Sequence, residues 1–117
     1  MLDGNRKTYI FQLDDQFVGE ISLVFDTGDT DYTIDKQRIY VSRLIVKREY
    51  RRRGIAKKLV DFAVQTAKEW GYSELSVGVD LGNYAALKLY FEAGFNSILH
   101  IGEDVNGQYV KLLMRID

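Results

Sequence analysis

The sequence predicts an α/β protein built on a mixed central sheet with helices packed on its faces, in the element order β-β-β-α-β-α-β-β. Two observations predict this class. Several segments alternate apolar and polar residues, the period of a strand, and two others repeat apolar residues every three or four positions, the period of a helix. Each helical segment lies between two strand segments, and strands joined directly are expected to form hairpins.

Length and composition fit a single domain over residues 1–117. A chain of 117 residues can bury one hydrophobic core but not two. Apolar residues make up 46% of the chain and aromatic residues 13%, as in a globular rather than a disordered protein. No repeat, low-complexity tract or linker divides the sequence.

The first part of the chain is predicted to form three strands. Alternation over residues 8–13 and 17–25 predicts a hairpin that turns at residues 14–16. Residues 26–36 form a polar loop rich in Asp, Thr and Gly. Arg38–Val46 is apolar nearly throughout toward its end, as expected for a central strand covered on both faces.

A helix is predicted to begin at Ile55 and to stop at Gly71, since glycine suits the left-handed position after a helix. The residues expected on its inward face, at steps of three and four, are Leu59, Phe62, Ala63, Thr66, Ala67 and Trp70. The next strand alternates Leu75, Val77 and Val79 with polar or small residues.

A second, shorter helix and a hairpin complete the predicted fold. Asn83 is a good N-cap for this helix, and Gly94 ends it. Residues 95–101 and 108–116 form the closing hairpin, whose turn at residues 103–107 contains an Asn-Gly pair that favours a tight turn.

The stretch Arg-Arg-Arg-Gly-Ile-Ala at residues 51–56 links the third strand to the first helix. The first N–H groups of a helix have no partner within it, and the helix dipole favours an anion there. Gly54 lets the backbone approach a ligand closely or adopt a positive φ, and arginine suits phosphate geometry. The two common nucleotide loops, G-x-x-x-x-G-K-[ST] and G-x-G-x-x-G, are missing. The stretch therefore predicts a site for a compact phosphate anion, with a basic surface turn as the alternative.

The same stretch, read as Arg-x-x-Gly-x-Ala, resembles the acyl-CoA-binding loop of the GCN5-related N-acetyltransferases (the GNAT superfamily), which is Gln/Arg-x-x-Gly-x-Gly/Ala. One helix and one strand downstream, residues 83–95 are similar to the family's second signature, Asn-x-x-Ala-x-x-Leu-Tyr-x-x-x-Gly-Phe. The two motifs stand in the expected order and separation. The resemblance covers residues 7–116 and is strongest over residues 39–95.

The resemblance implies a GNAT-like acyl-CoA N-acyltransferase fold, with acetyl-CoA bound as cosubstrate in a V between the third and fourth strands. In the family the end of the third strand is bulged, and its backbone, here Leu44, Ile45 and Val46, binds the pantetheine arm like a further strand. The residues expected at the pyrophosphate are Arg51, Arg52, Arg53, Gly54, Ile55, Ala56 and Lys57. Arg52 fits a solvated surface charge equally well. Asn83 would contact the cofactor in addition to capping its helix.

The resemblance also implies that Tyr90 points at the sulfur of coenzyme A and protonates the departing thiolate as general acid. A phenol ionises with a pKa of about 10, so it carries its proton at neutral pH. The alternative is a tyrosine that only packs. Glu20 and Asp80 are the candidates for a general base, with a solvated hairpin face and a turn before Asn83 as their respective alternatives.

The acceptor is the part that the resemblance leaves open. The family usually places one more strand and two helices ahead of the first hairpin, and those helices help to line the acceptor side, whereas residues 1–7 alone precede the hairpin here. An acidic cluster in the loop either attracts a cationic amine or is simply solvated; its members are Asp26, Asp29, Asp31 and Asp35. A shortened sheet with uncovered apolar surface also makes a homodimer one of the expectations.

Composition excludes several other classes. Without cysteine there is no disulfide framework and no thiol catalysis, which fits a cytoplasmic protein. A single histidine, His100, rules out a multi-histidine metal site, and we expect no metal. The net charge of −1 gives no general drive toward nucleic acid. No apolar stretch approaches the roughly 20 residues of a membrane helix, and no signal peptide is visible.

The sequence thus predicts an N-acetyltransferase that moves an acetyl group from acetyl-CoA directly to the amine of a small molecule or a peptide. The alternative is an acyl-CoA-binding module without turnover, or a part of a larger or dimeric assembly. Two features support this alternative: few residues precede the first hairpin, and the sequence contains no convincing general base.

Overall fold

In the computed structural model, which describes residues 4–116, six strands form one mixed sheet against which two α-helices pack. In chain order the elements are β1 (Arg6–Leu13), β2 (Gln16–Val24), β3 (Arg38–Val46), a 3₁₀ turn (Arg48–Tyr50), α1 (Ile55–Glu69), β4 (Glu74–Asp80), α2 (Tyr84–Ala93), β5 (Ser97–Asp104) and β6 (Gly107–Arg115). The strands lie in the order β1-β2-β3-β4-β6-β5; β3 and β4 are parallel, and the other neighbours are antiparallel. The predicted α/β class and element order are confirmed.

The hydrophobic core lies between the sheet and both helices. The residues that α1 buries are Ile55, Leu59, Val60, Ala63, Thr66 and Ala67. From α2, Tyr90 joins the same core, and the two helices contact each other. Both helices therefore lie on one face of the sheet. Neither of these helices is long and apolar enough to cross a membrane.

Phe62 and Trp70 lie at the edges of α1 rather than on its buried face, where the sequence pattern placed them. Their exposed fractions are 43% and 37%. The ring of Phe62 meets Tyr9 edge-on, with centroids 4.8 Å apart, and Trp70 lies 5.3 Å from Phe25. Ala63 is fully buried beneath the helix. Because such small side chains let α1 approach the sheet closely, large rings fit only at its sides.

The opposite face of the sheet carries no helix among residues 4–116 and is partly covered by the loop between β2 and β3. Lys111 on β6 alternates with the core residues Val110 and Leu112, so it points to this second face. A Cβ added to Gly78 of β4 would collide with the hydroxyl group of Tyr32, a residue of the loop. Glycine at this position thus allows the loop to lie against the sheet.

Ion pairs and hydrogen bonds hold this loop in place. Lys111 Nζ lies 2.8 Å from a carboxylate oxygen of Asp29 and 3.2 Å from one of Asp31. Arg38 donates a hydrogen bond of 2.9 Å to the backbone carbonyl of Asp31. The ammonium of Lys111 lowers the pKa of Asp29, chiefly through its hydrogen bond. Asp29 and Asp31 therefore share the ammonium of Lys111, which offsets one of their two negative charges.

β3 separates from β4 halfway along its length. Its residues Arg38–Val41 pair with Glu74–Val77, and the pairing with β4 ends there. At this point β3 carries a bulge, since Ser42 has no partner in β2 although both of its neighbours do. β4 meanwhile stays paired with β6 along its whole length. The result is a V between β3 and β4, with the bulge that the family resemblance implied.

The expectation that β3 is covered on both faces is wrong for its second half. Ile39 and Val41 are buried, but Leu44, Ile45 and Val46 are only half-buried. The reason is the split itself, because beyond Val41 the strand has a neighbour on the β2 side alone.

Gly19 is predicted to be required for this geometry. It lies opposite Val46, and a Cβ added to it would lie 2.6 Å from the carbonyl oxygen of Ile45. Since a backbone atom cannot move aside like a flexible side chain, we expect Gly19→Ala to lower the free energy of unfolding by about 1–3 kcal/mol, measured by urea denaturation.

Gly82→Ala is the matched control, because a Cβ there meets nothing within 4 Å. It should change the unfolding free energy by less than about 0.5 kcal/mol. Equal stabilities for the two variants would contradict the close approach of β2 to the end of β3.

Candidate functional site

The loop between β3 and α1 leaves the N-terminus of α1 open. Gly54 is the N-cap and has φ 76° and ψ 10°, in the left-handed region. The positive φ that the sequence analysis considered for Gly54 is confirmed. Because glycine has no side chain, the cap makes no side-chain hydrogen bond. The first N–H groups of α1 remain available to a ligand, and the helix dipole favours an anion there.

A groove of about 530 Å³, hereafter the loop groove, lies beside this helix end. The predicted cofactor residues that line it are Leu44, Ile45, Val46, Arg51, Arg52, Gly54, Ile55, Ala56 and Lys57. Across from them, the wall on α2 consists of Ala85, Ala86, Leu89 and Tyr90. The loop groove therefore combines a basic end at a helix N-terminus, an unpaired strand edge and a largely apolar wall.

The α2 wall was missed by sequence reasoning apart from Tyr90. Ala85 and Leu89, and likewise Ala86 and Tyr90, are four residues apart and so share one side of the helix. That spacing could have identified the wall once Tyr90 was taken as a site residue. Tyr50, which also lines the loop groove, carried no such signal.

The basic side chains of the loop are used differently from one another. Arg51 donates through Nε to the backbone carbonyl of Val46 at 3.2 Å, so it ties the loop to the end of β3. The guanidinium of Arg53 lies over the ring of Tyr50, 5.3 Å from its centroid, and Arg53 does not line the loop groove. Arg52 lines the groove and is exposed. The structure thus separates Arg53 from the other predicted phosphate contacts.

Lys57 also lines the loop groove, on the first turn of α1. Its Nζ lies 3.3 Å from Asp61, and both side chains are more than half exposed. Such an exposed ion pair contributes little free energy. Lys57 is therefore free to turn toward an anion in the groove.

A second cavity of about 590 Å³, hereafter the open-face cavity, extends from the V between β3 and β4 onto the face of the sheet without helices. Its walls include Tyr32, Tyr40 and Tyr109. Tyr90 and Leu44 line both this cavity and the loop groove. The two spaces therefore meet in the V between β3 and β4.

Tyr90 occupies the junction of the two spaces. It is 7% exposed, and its ring packs edge-on against Phe95 with centroids 5.4 Å apart. Among residues 4–116 its hydroxyl has no hydrogen-bond partner. Burial, with a smaller contribution from Tyr40, raises the pKa of Tyr90 to about 12. The phenol is thus protonated at neutral pH and offers an unused donor, although it gives up its proton reluctantly.

The two base candidates lie in different surroundings. Glu20 on β2 pairs with Arg43, whose Nε lies 3.1 Å from its carboxylate, and Glu20 lines neither space. Asp80 ends β4, is exposed, and lines the open-face cavity together with Tyr90. The structure therefore brings Asp80, and not Glu20, to the same cavity as Tyr90.

Asn83 caps α2 as predicted, since its Oδ1 accepts a 3.1 Å hydrogen bond from the N–H of Ala86. It lines the open-face cavity rather than the loop groove. The capping function is confirmed, and the contact with the cofactor remains a prediction.

Comparison with known proteins matches these features to one family. The sequence profile described as the acetyltransferase (GNAT) family matches residues 1–95. A curated relative, GCN5-related N-acetyltransferase 4, chloroplastic, from Arabidopsis thaliana, is 46% identical over 59 residues. That alignment covers 50% of this chain but 20% of the relative.

Solved structures of acetyltransferases share the fold. An acetyltransferase from Bacillus subtilis in complex with CoA aligns over 97% of this chain and 79% of its own, with a TM-score of 0.82 and 19% identity. A GNAT family acetyltransferase from Elizabethkingia anophelis with acetyl-CoA bound aligns over 96% of this chain and 77% of its own, with a TM-score of 0.81 and 18% identity. At these identities the likeness shows the fold.

Proposed function

The chain belongs to the acetyltransferase (GNAT) family, and from that membership we propose that it transfers the acetyl group of acetyl-CoA to an amine by direct attack. One observation carries the proposal. The open N-terminus of α1 and the unpaired edge of β3 form one continuous groove that ends at the free hydroxyl of Tyr90. That groove offers an anion site at one end and a hydrogen-bond donor at the other.

Acetyl-CoA would lie in the loop groove with its pyrophosphate at the start of α1. The N–H groups of residues 54–57 would donate to phosphate oxygens, and Arg52 and Lys57 would add positive charge. The pantetheine amides would pair with the backbone of Leu44–Val46 in place of the missing β4 neighbour. This supports a cofactor position in which the thioester reaches Tyr90.

The chemistry requires a neutral amine at the thioester carbonyl. As the C–N bond forms, the nitrogen passes its surplus proton to a base. The C–S bond then breaks, and the sulfur leaves as a thiolate that takes up a proton to give free coenzyme A. The V between β3 and β4 would hold the two reactants together, which supplies much of the rate enhancement.

Tyr90 is best suited to donate a hydrogen bond to the departing sulfur. An alkyl thiol ionises with a pKa of about 8.5, whereas burial raises the pKa of Tyr90 to about 12. Complete transfer of the phenolic proton to the thiolate would therefore be uphill by about 5 kcal/mol. A donated hydrogen bond stabilises the developing charge without that cost.

Asp80 is the better placed of the two base candidates. It lines the cavity through which an amine would approach Tyr90, whereas Glu20 is held by Arg43. Asp80 would take the amine proton directly or through water. The acceptor, a small molecule or a peptide, would enter from the open face.

The alternative function is a module that binds acetyl-CoA without turnover, alone or within a dimer. Exposed apolar side chains beside β1 favour the dimer, since Ile10 is 61% exposed and Phe62 is 43% exposed. Transfer assays with amines separate this alternative from an enzyme. The cytoplasmic location and the absence of a metal remain predictions.

Acetyl-CoA is predicted to raise the melting temperature by several degrees at a concentration about 100 times its dissociation constant, since it would bind the native state alone. The shift is measured by differential scanning calorimetry. It should shrink at high salt, because phosphate contacts carry much of the affinity. Pantetheine, which lacks the pyrophosphate, serves as the control and should give a much smaller shift. No shift at millimolar acetyl-CoA would contradict the cofactor assignment.

Gly54→Val is predicted to abolish most of the acetyl-CoA affinity measured by isothermal titration calorimetry. At a φ of +76° a β-branched side chain is strained, and its Cβ would occupy space now open beside the helix end. Gly71→Val provides a matched control at the other end of α1. Its φ is +86°, and its Cβ likewise meets nothing within 4 Å, but it does not line the loop groove.

Both variants should lose similar stability, while only Gly54→Val should lose affinity. Equal affinities for the two proteins would show that the pyrophosphate binds elsewhere.

Tyr90→Phe is predicted to lower kcat by about 10²-fold, the lower end of the range for a lost proton donor, with little change in acetyl-CoA affinity. The ring packing against Phe95 stays, and the hydroxyl alone is removed. Tyr72→Phe is the control, because Tyr72 lines neither space. An unchanged kcat, or a loss explained entirely by weaker cofactor binding, would remove Tyr90 from the mechanism.

A further inference from the structure

The open-face cavity carries negative charge that the protein does not neutralise. The charged residues lining it are Asp29, Arg43, Asp80, Asp104 and Lys111. Lys111 pairs with Asp29 at 2.8 Å, and Arg43 pairs with Glu20 at 3.1 Å. Among residues 4–116, neither Asp80 nor Asp104 has an ion-pair partner. Each cation of the cavity thus has a carboxylate partner, while Asp80 and Asp104 have no cation beside them in the described part of the chain.

Aromatic rings complete the walls around these carboxylates. Tyr32 and Tyr40 pack with centroids 4.4 Å apart, and Tyr109 lies on the neighbouring strand β6. The ammonium of Lys111 already lies 4.9 Å from the centroid of Tyr32. Such rings attract cations to their faces. The surroundings therefore suit a positively charged group better than an anion.

The hydroxyl of Tyr90 is a further sign that a ligand belongs where this cavity meets the V between β3 and β4. Its residue is 7% exposed, lines the cavity wall, and has no hydrogen-bond partner among residues 4–116. Among the described residues no side-chain N or O atom is both buried and unpaired, so this unpaired hydroxyl opens toward the cavity although the rest of the side chain is buried. A ligand in the V between β3 and β4 would supply the partner.

Beyond Asp80 the cavity continues into a groove between the β4–α2 loop and the β5–β6 turn. Asp80 and Asn83 line both spaces. The residues that line the groove are Asp80, Leu81, Gly82, Asn83, Tyr84, Asn106, Gly107 and Gln108. Asp80 is the charged residue among them. Among the described residues, the groove therefore adds no positive side chain to the path of a ligand that extends beyond Asp80.

We propose that the acceptor is a small primary amine that carries a second positive charge, as a linear diamine does. This inference rests on the proposed acetyl transfer. One nitrogen lies neutral beside Tyr90 as the nucleophile, and the other stays an ammonium against the carboxylate of Asp104 and the tyrosine rings. A carboxylate in the second position would be repelled by Asp104 and Asp80.

Three acceptors of matched length test the charge preference. Putrescine ends in a second ammonium, n-butylamine in a methyl group and 4-aminobutyrate in a carboxylate. With saturating acetyl-CoA at low salt, kcat/KM should fall in that order by at least about tenfold at each step. The same order should appear in their affinities for the protein loaded with CoA, measured by calorimetry.

Asp104→Asn identifies the residue responsible. Asparagine keeps the oxygen that accepts the 2.8 Å hydrogen bond from the N–H of Asn106, so the hairpin turn is retained. The kcat/KM for putrescine should then exceed that for n-butylamine by about threefold or less, and so should the affinity. Glu92→Gln removes the same charge from an exposed position on α2 that lines no cavity, and it should leave the ratio unchanged.

The outcomes separate this inference from the proposed function. If no amine is acetylated but putrescine still binds best, and Asp104→Asn removes that preference, the proposed ligand class is retained. The proposed acetyl transfer is then wrong. Equal handling of the three amines, preference for 4-aminobutyrate or for a peptide N-terminus over putrescine, or a ratio that survives Asp104→Asn overturns the inference.

Discussion

The separation of β3 from β4 at the Ser42 bulge is the constraint on which the rest of the site depends. Had the two parallel strands stayed paired, the backbone groups of Leu44–Val46 would be used within the sheet and the loop groove would be closed. Glycines on the two strands that flank β3 permit this separation. Gly19 lets β2 follow the end of β3, and Gly78 accommodates the loop that covers the open face. The free strand edge and the N-terminus of α1 then line the same groove.

The two faces of the sheet then take different ligands. Both helices lie on one face and frame the loop groove with a basic end, whereas the other face offers aromatic rings and unpaired carboxylates. Tyr90 belongs to the helical face but reaches both spaces. Its burial raises its pKa to about 12, which favours a donated hydrogen bond over a transferred proton. An electrostatic function at the junction is therefore the simplest account of this side chain.

Local pattern in the sequence was sufficient for most of the fold, whereas the strand end and the loop residues that line the loop groove followed from the family resemblance. Strand and helix periods follow from burial on one face, and Gly54 marks a backbone conformation that few other residues adopt. Pattern could not show how closely α1 approaches the sheet, so Phe62 was expected inside. Nor could it reveal pairs between distant positions. Lys111 and Asp29 are 82 residues apart, and only the folded sheet shows that a lysine of β6 pairs with the acidic loop.

Titration of the ¹⁵N-labelled protein with acetyl-CoA, followed by amide chemical shifts, tests the central claim most directly. The account predicts that the largest shifts occur in two separate segments, the backbone of residues 44–46 and the start of α1 at residues 54–57. The N–H groups at the start of α1, and those of Leu44 and Val46, which face away from β2, would gain partners that the protein itself does not supply. The β5–β6 turn should be unaffected by the cofactor. Perturbations centred elsewhere, or none at saturating acetyl-CoA, would contradict the account.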